Sequence, residues 1–246
     1  SDGKLILWDM SDGRKSHRVL LDNEFVNRVV DLSPDEKWVA VGTDDDRILL
    51  YNVQNKGKDP KELTGHSGTV FDLVFLNDEQ GFISSAGDNV IRKNDFNNNV
   101  EIAKVPSRVN ALALSPDGRY LAGGSENGDV YLWDLKNENE ETKLHIQQGK
   151  AVYSVSFNQD GKILAFGDRE GDIILWDLEE SRQIRRLTGH DAKITDLEFS
   201  EDNSLLASTS FDGTARIWVM DNLNDLPIVL DDHGTGSGSK RWVWSS

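Results

Sequence analysis

The chain has no cysteine in 246 residues, which removes disulfides, thiol nucleophiles, zinc ribbons and iron–sulfur ligation together. Proline is scarce at five residues, and the 21 glycines follow no period of three, so neither a disordered nor a collagenous chain is described. Long apolar runs are missing too. The stretch from Asp172 to Leu178 is broken by charge within a few residues, far short of the roughly 18 that cross a bilayer. The opening Ser1-Asp2-Gly3-Lys4 has neither the basic nor the apolar region of a signal peptide, and no Asn-x-Ser/Thr acceptor occurs. Positive charge is in deficit: 43 acidic against 27 basic residues give a net charge of -16, and no Lys/Arg stripe offers a phosphate track. Nucleic acid and membrane are therefore excluded as partners, and a cytoplasmic address is expected. A chain that starts on an Asp-Gly turn without an initiator methionine reads as an excised domain or the interior of something longer.

Repetition is what the sequence has in abundance. Short apolar strands ending in an aromatic-Asp or similar pair recur with Trp8, Tyr51, Asn94, Trp133, Trp176 and Trp218 at equivalent places, spaced 43, 43, 39, 43 and 42 residues apart. Each period carries an alternating run such as Val152–Phe157, a turn such as Asn158-Gln159-Asp160-Gly161, a second strand such as Lys162–Gly167, a second turn at Glu170-Gly171, and the Trp-bearing strand. A polar fourth strand follows, as in Arg182–Leu187. Period-2 alternation with Asp-Gly and Asn-Gly punctuation predicts antiparallel strands joined by tight turns, and no segment sustains helical periodicity.

Four antiparallel strands in about 40 to 45 residues is the arithmetic of a propeller blade. On these residues the chain resembles the tryptophan-aspartate (WD) repeat β-propellers over nearly its whole length. Gly65-His66 and Gly189-His190 match the family's Gly-His signature, Asp232-His233 matches it loosely, and Trp8-Asp9, Trp133-Asp134 and Trp176-Asp177 match the name-giving pair. The resemblance implies an all-β fold of four-stranded antiparallel blades. It also implies a structural tetrad of His, Ser/Thr, Asp and Trp. His190, Ser208, Asp212 and Trp218 fill all four places, whereas His66, Ser84 and Asp88 fill three, with Asn94 where the Trp belongs. The blade holding Asn94 is expected to lose both aromatic burial and the indole donor, and so to be less rigid.

Six blades are readable, forming a single domain over 1–246. The last blade is shared between the C-terminal 240–246 and the N-terminal 1–9, so that both termini close the ring. The path from Trp218 round to Trp8 counts 36 residues, shorter than the other periods, and the linker-like Gly/Ser segment 234–239 occupies the shortfall. A seven-bladed ring with absent residues is the alternative.

Catalytic and metal chemistry find little support. His66, His190 and His233 sit where a tetrad His belongs, and His17 and His145 stand alone without ligand spacing. Asp44-Asp45-Asp46 lacks the alternating pattern that wraps calcium and reads as a solvated turn. Residues 234–239 fit no nucleotide loop, and there is no Gly-x-Ser-x-Gly elbow. No cofactor and no metal are expected.

What remains is surface. Aligning the periods on their first turns makes Arg28, Phe71, Asn110, Tyr153 and Thr195 equivalent, on the loop-rich face expected around the channel mouth. Asp44, Gly87, Glu126, Arg169 and Phe211 are equivalent just before the turn Asp. Phe71, Tyr153 and Phe211 are aromatic where the repeat does not require it, and Arg28, Arg108, Lys150, Arg169 and Lys193 put positive charge on the same face. Aromatic and Arg residues are favoured interface anchors. The sequence thus points to a non-enzymatic scaffold that binds a protein or peptide on this face, as a monomeric domain within a larger protein or complex. Two alternatives stand beside it: a sensor propeller restraining an effector in a larger signalling protein, bacterial ones included, and a propeller hydrolase.

Overall fold

Alternation and turn chemistry decide the local structure. The computed structural model describes residues 4–9, 16–22, 26–55, 59–78, 81–137, 144–147, 149–222 and 226–231. They contain 22 strands and a single 3-10 turn at Met220–Asn222. The chain divides into two compact units, Ser1–Lys104 and Val105–Ser246.

In the first unit, β1 (Lys4–Asp9) and β2 (Ser16–Asp22) form a two-stranded sheet. Two four-stranded meanders follow in sequence order. One is β3 (Asn27–Leu32), β4 (Trp38–Thr43), β5 (Ile48–Asn52) and β6 (Lys61–Leu63); the other is β7 (Val70–Phe75), β8 (Phe82–Ala86), β9 (Val90–Asn94) and β10 (Asn99–Lys104). The second unit holds three more: β11 (Val109–Leu114) to β12 (Tyr120–Ser125), β13 (Asp129–Asp134) and β14 (Leu144–Gln147); β15 (Val152–Phe157) to β16 (Ile163–Asp168), β17 (Ile173–Asp177) and β18 (Arg182–Leu187); and β19 (Ile194–Phe199) to β20 (Leu205–Ser210), β21 (Ala215–Val219) and β22 (Ile228–Leu230). All pairings are antiparallel. The six readable periods are thus five full meanders and one two-stranded sheet. The segments assigned to ring closure, 240–246 and 234–239, lie outside the described residues, as do His233 and residues 1–3.

Turn residues set the register. Ser33, Ser115 and Ser200 each donate their hydroxyl to the Asp two residues on, at 2.6 Å. Each also accepts the amide that opens the next strand, from Trp38, Tyr120 and Leu205. Asn158 substitutes its own amide oxygen for the hydroxyl, accepting from Lys162 and Ile163. The left-handed position in these turns is Gly118 or Gly161 in two cases (φ 67° and 70°), and Glu36 or Asn203 in the others (φ 57° and 60°); glycine adopts this conformation with the least strain.

The second strand is buried along most of its length in four of the five four-stranded sheets and at alternate residues in β20, while β18 exposes all but Leu187, as its polar sequence requires. Sheet packs on sheet within the second unit: Ala165, Ile173 and Leu175 meet Ile194, Leu197, Phe199 and Trp218 of the following meander. The approach is close enough that a Cβ on Gly167 would lie 2.5 Å from Ile194 Cγ2. Full burial of each large apolar side chain contributes about 1.5–3 kcal/mol.

Candidate interaction face

Inside the last meander, β20, β21 and the Gly189-His190 loop bring four side chains into one chain of hydrogen bonds. The Trp218 indole donates to Ser208 Oγ at 2.9 Å, Ser208 meets His190 Nε2 at 2.8 Å, and His190 Nδ1 meets Asp212 Oδ2 at 2.8 Å. The Asp212 carboxylate can only accept, so the proton sits on Nδ1, and the Ser208 hydroxyl, already accepting from the indole, can donate to Nε2 of a neutral imidazole. Burial pushes the His190 pKa down, which favours the same state. Burial alone would raise Asp212, yet hydrogen bonds from Thr214, His190 and the Asp191 amide hold it at about 2.

The β7–β10 meander repeats this arrangement, with one change. His66 Nδ1 lies 3.0 Å from Asp88 and its Nε2 2.9 Å from Ser84. Asn94, 2% exposed, donates its amide to Ser84 Oγ at 3.0 Å. The expected loss of the donor is therefore corrected: an Asn amide reaches the hydroxyl that an indole reaches elsewhere, and what is missing is the ring. Two other Trp-equivalent positions show the converse. Phe166 stands where Ser208 stands, and the buried Trp176 Nε1 has no acceptor among the described residues; Val41 stands there for Tyr51, whose buried hydroxyl has no partner among them either.

The positions aligned from sequence share a backbone feature that the sequence did not reveal. Arg28, Phe71, Asn110, Tyr153 and Thr195 each sit at a register shift between first and second strands, where two residues oppose one. Such a bulge leaves its extra residue outside the ladder and re-aims the side chain. A backbone bond recurs beside it: the amides of Asp44, Gly87, Glu126, Arg169 and Phe211 donate to the carbonyls of Val26, Thr69, Arg108, Ala151 and Lys193. The bulge and the second turn are thereby held side by side at one end of every meander.

In the second unit these ends make a continuous cluster. Arg108 donates to Asn110 Oδ1 at 3.1 Å and pairs with Glu126 at 3.1 Å, and Asn110 donates to Glu126 Oε2 at 3.1 Å and to the Val152 carbonyl at 3.0 Å. Tyr153 also hydrogen-bonds to Glu126. The Lys193 ammonium lies between two rings, 4.4 Å from the Tyr153 centroid and 4.2 Å from that of Phe211. Burial lowers the Lys193 pKa, and the charges of Arg169 and Arg108 add to that against the attraction of Glu126. Arg169 is exposed. Thr195 Oγ1 lies 2.7 Å from Thr209 Oγ1.

Not every aligned residue joins in. Lys150 faces Glu170, Asp168 at 3.8 Å and Asp172 at 3.1 Å, and Arg186 also pairs with Asp172. The expectation of five positive charges is corrected accordingly, since those of Lys150 and Arg108 are compensated by neighbouring carboxylates. In the first unit Arg28 is exposed, and Phe71 is half-buried beside Gly87. Asp45 pairs with Arg47 at 2.6 Å and Asp44 accepts the Val26 amide, so the acidic run is tied into its turn instead of being simply solvated. His17 is exposed and lies against the Trp8 ring, 4.8 Å between centroids. Glu126 is the residue that sequence reasoning missed as a functional candidate; its place in the aligned turn series was the available signal. Among the described residues no group of three or more His, Asp or Glu is placed to hold a metal. No helix among them is long and apolar enough to cross a membrane.

Repeated four-stranded antiparallel meanders, two of them carrying the same Ser-His-Asp network, define the blade repeat of the β-propeller class. The family is specific: residues 15–52, 57–93, 101–134, 141–177 and 181–219 match the WD domain, G-beta repeat (WD40) family, and the chain belongs to it. Among its relatives is periodic tryptophan protein 2 of Arabidopsis thaliana, 24% identical over 88% of this chain and 20% of that protein. Target of rapamycin complex subunit LST8 of Rattus norvegicus is 23% identical over 99% of this chain and 78% of that protein. The serine-threonine kinase receptor-associated protein of Gallus gallus is 23% identical over 86% and 59%. The chain thus spans a fifth of the Arabidopsis relative and a third of the Protein LST8 homolog of Drosophila melanogaster, which is 28% identical over 59% of this chain.

Proposed function

We propose that this chain is a non-catalytic interaction module that binds a protein or peptide partner through the loop end of its second unit. The two units together are read as one repeat domain, 1–246, acting as a monomer within a longer cytoplasmic protein or complex. The observation that carries the reading is the bulge-presented cluster of Tyr153 and Phe211 around Lys193, bordered by Arg169 and by Arg108, Asn110 and Glu126. Two aromatic rings and two cations that have no carboxylate ion pair among the described residues, held by hydrogen bonds and backbone bulges, form a pre-ordered surface of the composition that anchors interfaces. Arg28, Phe71, Lys150 and Thr195 take the equivalent or adjoining loop positions and are assigned supporting contacts. The relatives' names support a role in assembly: one is a complex subunit and one a receptor-associated protein.

The test is affinity for a partner captured with the purified domain, compared with a Tyr153→Ala, Phe211→Ala double variant. Loss of two anchors is expected to weaken binding by tenfold or more, with the far-ultraviolet circular dichroism of the domain preserved. Equal affinity of a folded double variant would remove this face as the docking site.

A further inference from the structure

Lys193 carries three hydrogen-bond donors, and among the described residues none of them has an acceptor. Its contacts are the Tyr153 and Phe211 ring faces, which stabilise a cation through their quadrupoles without matching a directed bond to oxygen. Neighbouring cations are differently placed: Arg108 has Glu126 at 3.1 Å, and Lys150 has Asp172 at 3.1 Å. Glu126, whose charge Lys193 also feels, is already engaged by Arg108, Asn110 and Tyr153. Lys193 also feels the charge of Arg169, which is exposed and has no ion pair or hydrogen bond from its side chain among the described residues. The result is a half-buried ammonium, oriented by two rings, with its hydrogen-bonding capacity unspent and a second cation within electrostatic reach.

Building on the interaction-module reading, we propose that Lys193 is the anchor for a carboxylate of the partner, an Asp or Glu side chain in an acidic peptide, with Arg169 as the second cation and the rings of Tyr153 and Phe211 as walls. A charge-assisted bond from the ammonium to a carboxylate is shorter and stronger than a neutral one, and the rings restrict where that oxygen lies. One ammonium with a single unpaired guanidinium near it offers donors for the two oxygens of a carboxylate, whereas Arg108, the further cation that a phosphate's remaining oxygens would call on, is held by Glu126.

The proposal is tested by nuclear magnetic resonance on the whole chain at low salt, following the lysine Cε and tyrosine ring signals. Three probes are titrated: the peptide Ac-Gly-Glu-Phe-Glu-Gly-NH2, its counterpart with Gln for both Glu residues, and inorganic phosphate. The Glu peptide is expected to shift Lys193 and Tyr153 saturably, the Gln peptide to bind at least tenfold more weakly, and phosphate to bind more weakly than the Glu peptide. Lys193→Arg should retain the Tyr153 shift and Lys193→Met should lose it. Absence of a saturable shift with the Glu peptide overturns the proposal, as does equal binding of the Gln peptide, tighter binding of phosphate, or undiminished binding by Lys193→Met. Failure here is separable from failure of the broader reading. A captured partner that needs Tyr153 and Phe211 but tolerates Lys193→Met removes the carboxylate anchor alone, whereas one indifferent to all three removes the face.

Discussion

Replacing Asp212 by Ala is expected to destabilise the protein far more than replacing Asp160. Asp212 accepts four hydrogen bonds: from Thr214 N at 2.8 Å, Thr214 Oγ1 at 2.7 Å, His190 Nδ1 at 2.8 Å and Asp191 N at 3.1 Å. Its side chain is 10% exposed and that of His190 fully buried. Truncation strands the imidazole donor beside Ser208 and Trp218, and an unsatisfied buried donor costs about 1–3 kcal/mol. Thr214 Oγ1, 3.2 Å from His190 Nδ1, recovers part of that. With the lost charge-assisted bonds to the Asp191 and Thr214 amides, the total is about 3 kcal/mol. Among the described residues Asp160 accepts one hydrogen bond, from the exposed Lys162 amide at 3.0 Å, worth about 0.5–1 kcal/mol. For a chain of this size each kcal/mol moves Tm by roughly 2–4 °C, so drops of about 6–12 °C and at most about 4 °C are expected by differential scanning calorimetry. Equal shifts for the two variants would refute the network and its energetic weight.

Further outcomes follow from the same networks. Burial lowers the pKa of both His190 and His66 below the ordinary 6.5. In each case the unfolded chain takes up its proton first, so the stability held above pH 6.5 is lost as pH falls through the folded-state values. Urea midpoints between pH 7.5 and 5 should decline, and a His66→Gln, His190→Gln double variant should flatten that decline; a parallel decline in the variant would assign it to other groups. Asn94→Leu, which keeps the heavy-atom count and branching and removes the donor to Ser84, should cost about 1–2 kcal/mol in urea denaturation, and a neutral result would show that the Asn94–Ser84 bond carries no weight. Arg169→Glu with Lys193→Glu should slow association with a partner and invert its dependence on salt, since exposed charges are screened over about 8–10 Å near physiological ionic strength; unchanged stopped-flow rates would count against charge steering at this face.

The strands and turns were legible because each rests on local chemistry repeated in phase: alternation for the strands, and Ser-x-Asp or Asn-x-Asp for the turns. The partners in the His190 and His66 networks were legible only through family resemblance, since residues 18 to 22 apart in sequence meet through sheet register. The Asn94 substitution misled because a residue was weighed by its ring and not by its donor. At the candidate face, alignment found Tyr153, Asn110 and Thr195 without revealing why those positions differ. The bulge is a property of two strands together, and nothing in either strand's sequence announces the unpaired residue. Charge was the least legible feature: Arg108 and Lys150 looked like free cations in the sequence, but their carboxylate partners lie 18 and 22 residues away.

The most direct measurement of the interaction-module account is the affinity of a captured partner for three purified forms: the wild type, the Tyr153→Ala, Phe211→Ala variant, and an Arg182→Glu, Arg185→Glu variant on the exposed strand β18. Titration calorimetry should give a dissociation constant raised at least tenfold for the first variant, and one within a factor of two of wild type for the second. The reverse pattern, with the β18 variant impaired and the aromatic variant intact, would contradict the account and move the docking surface to the outer strand.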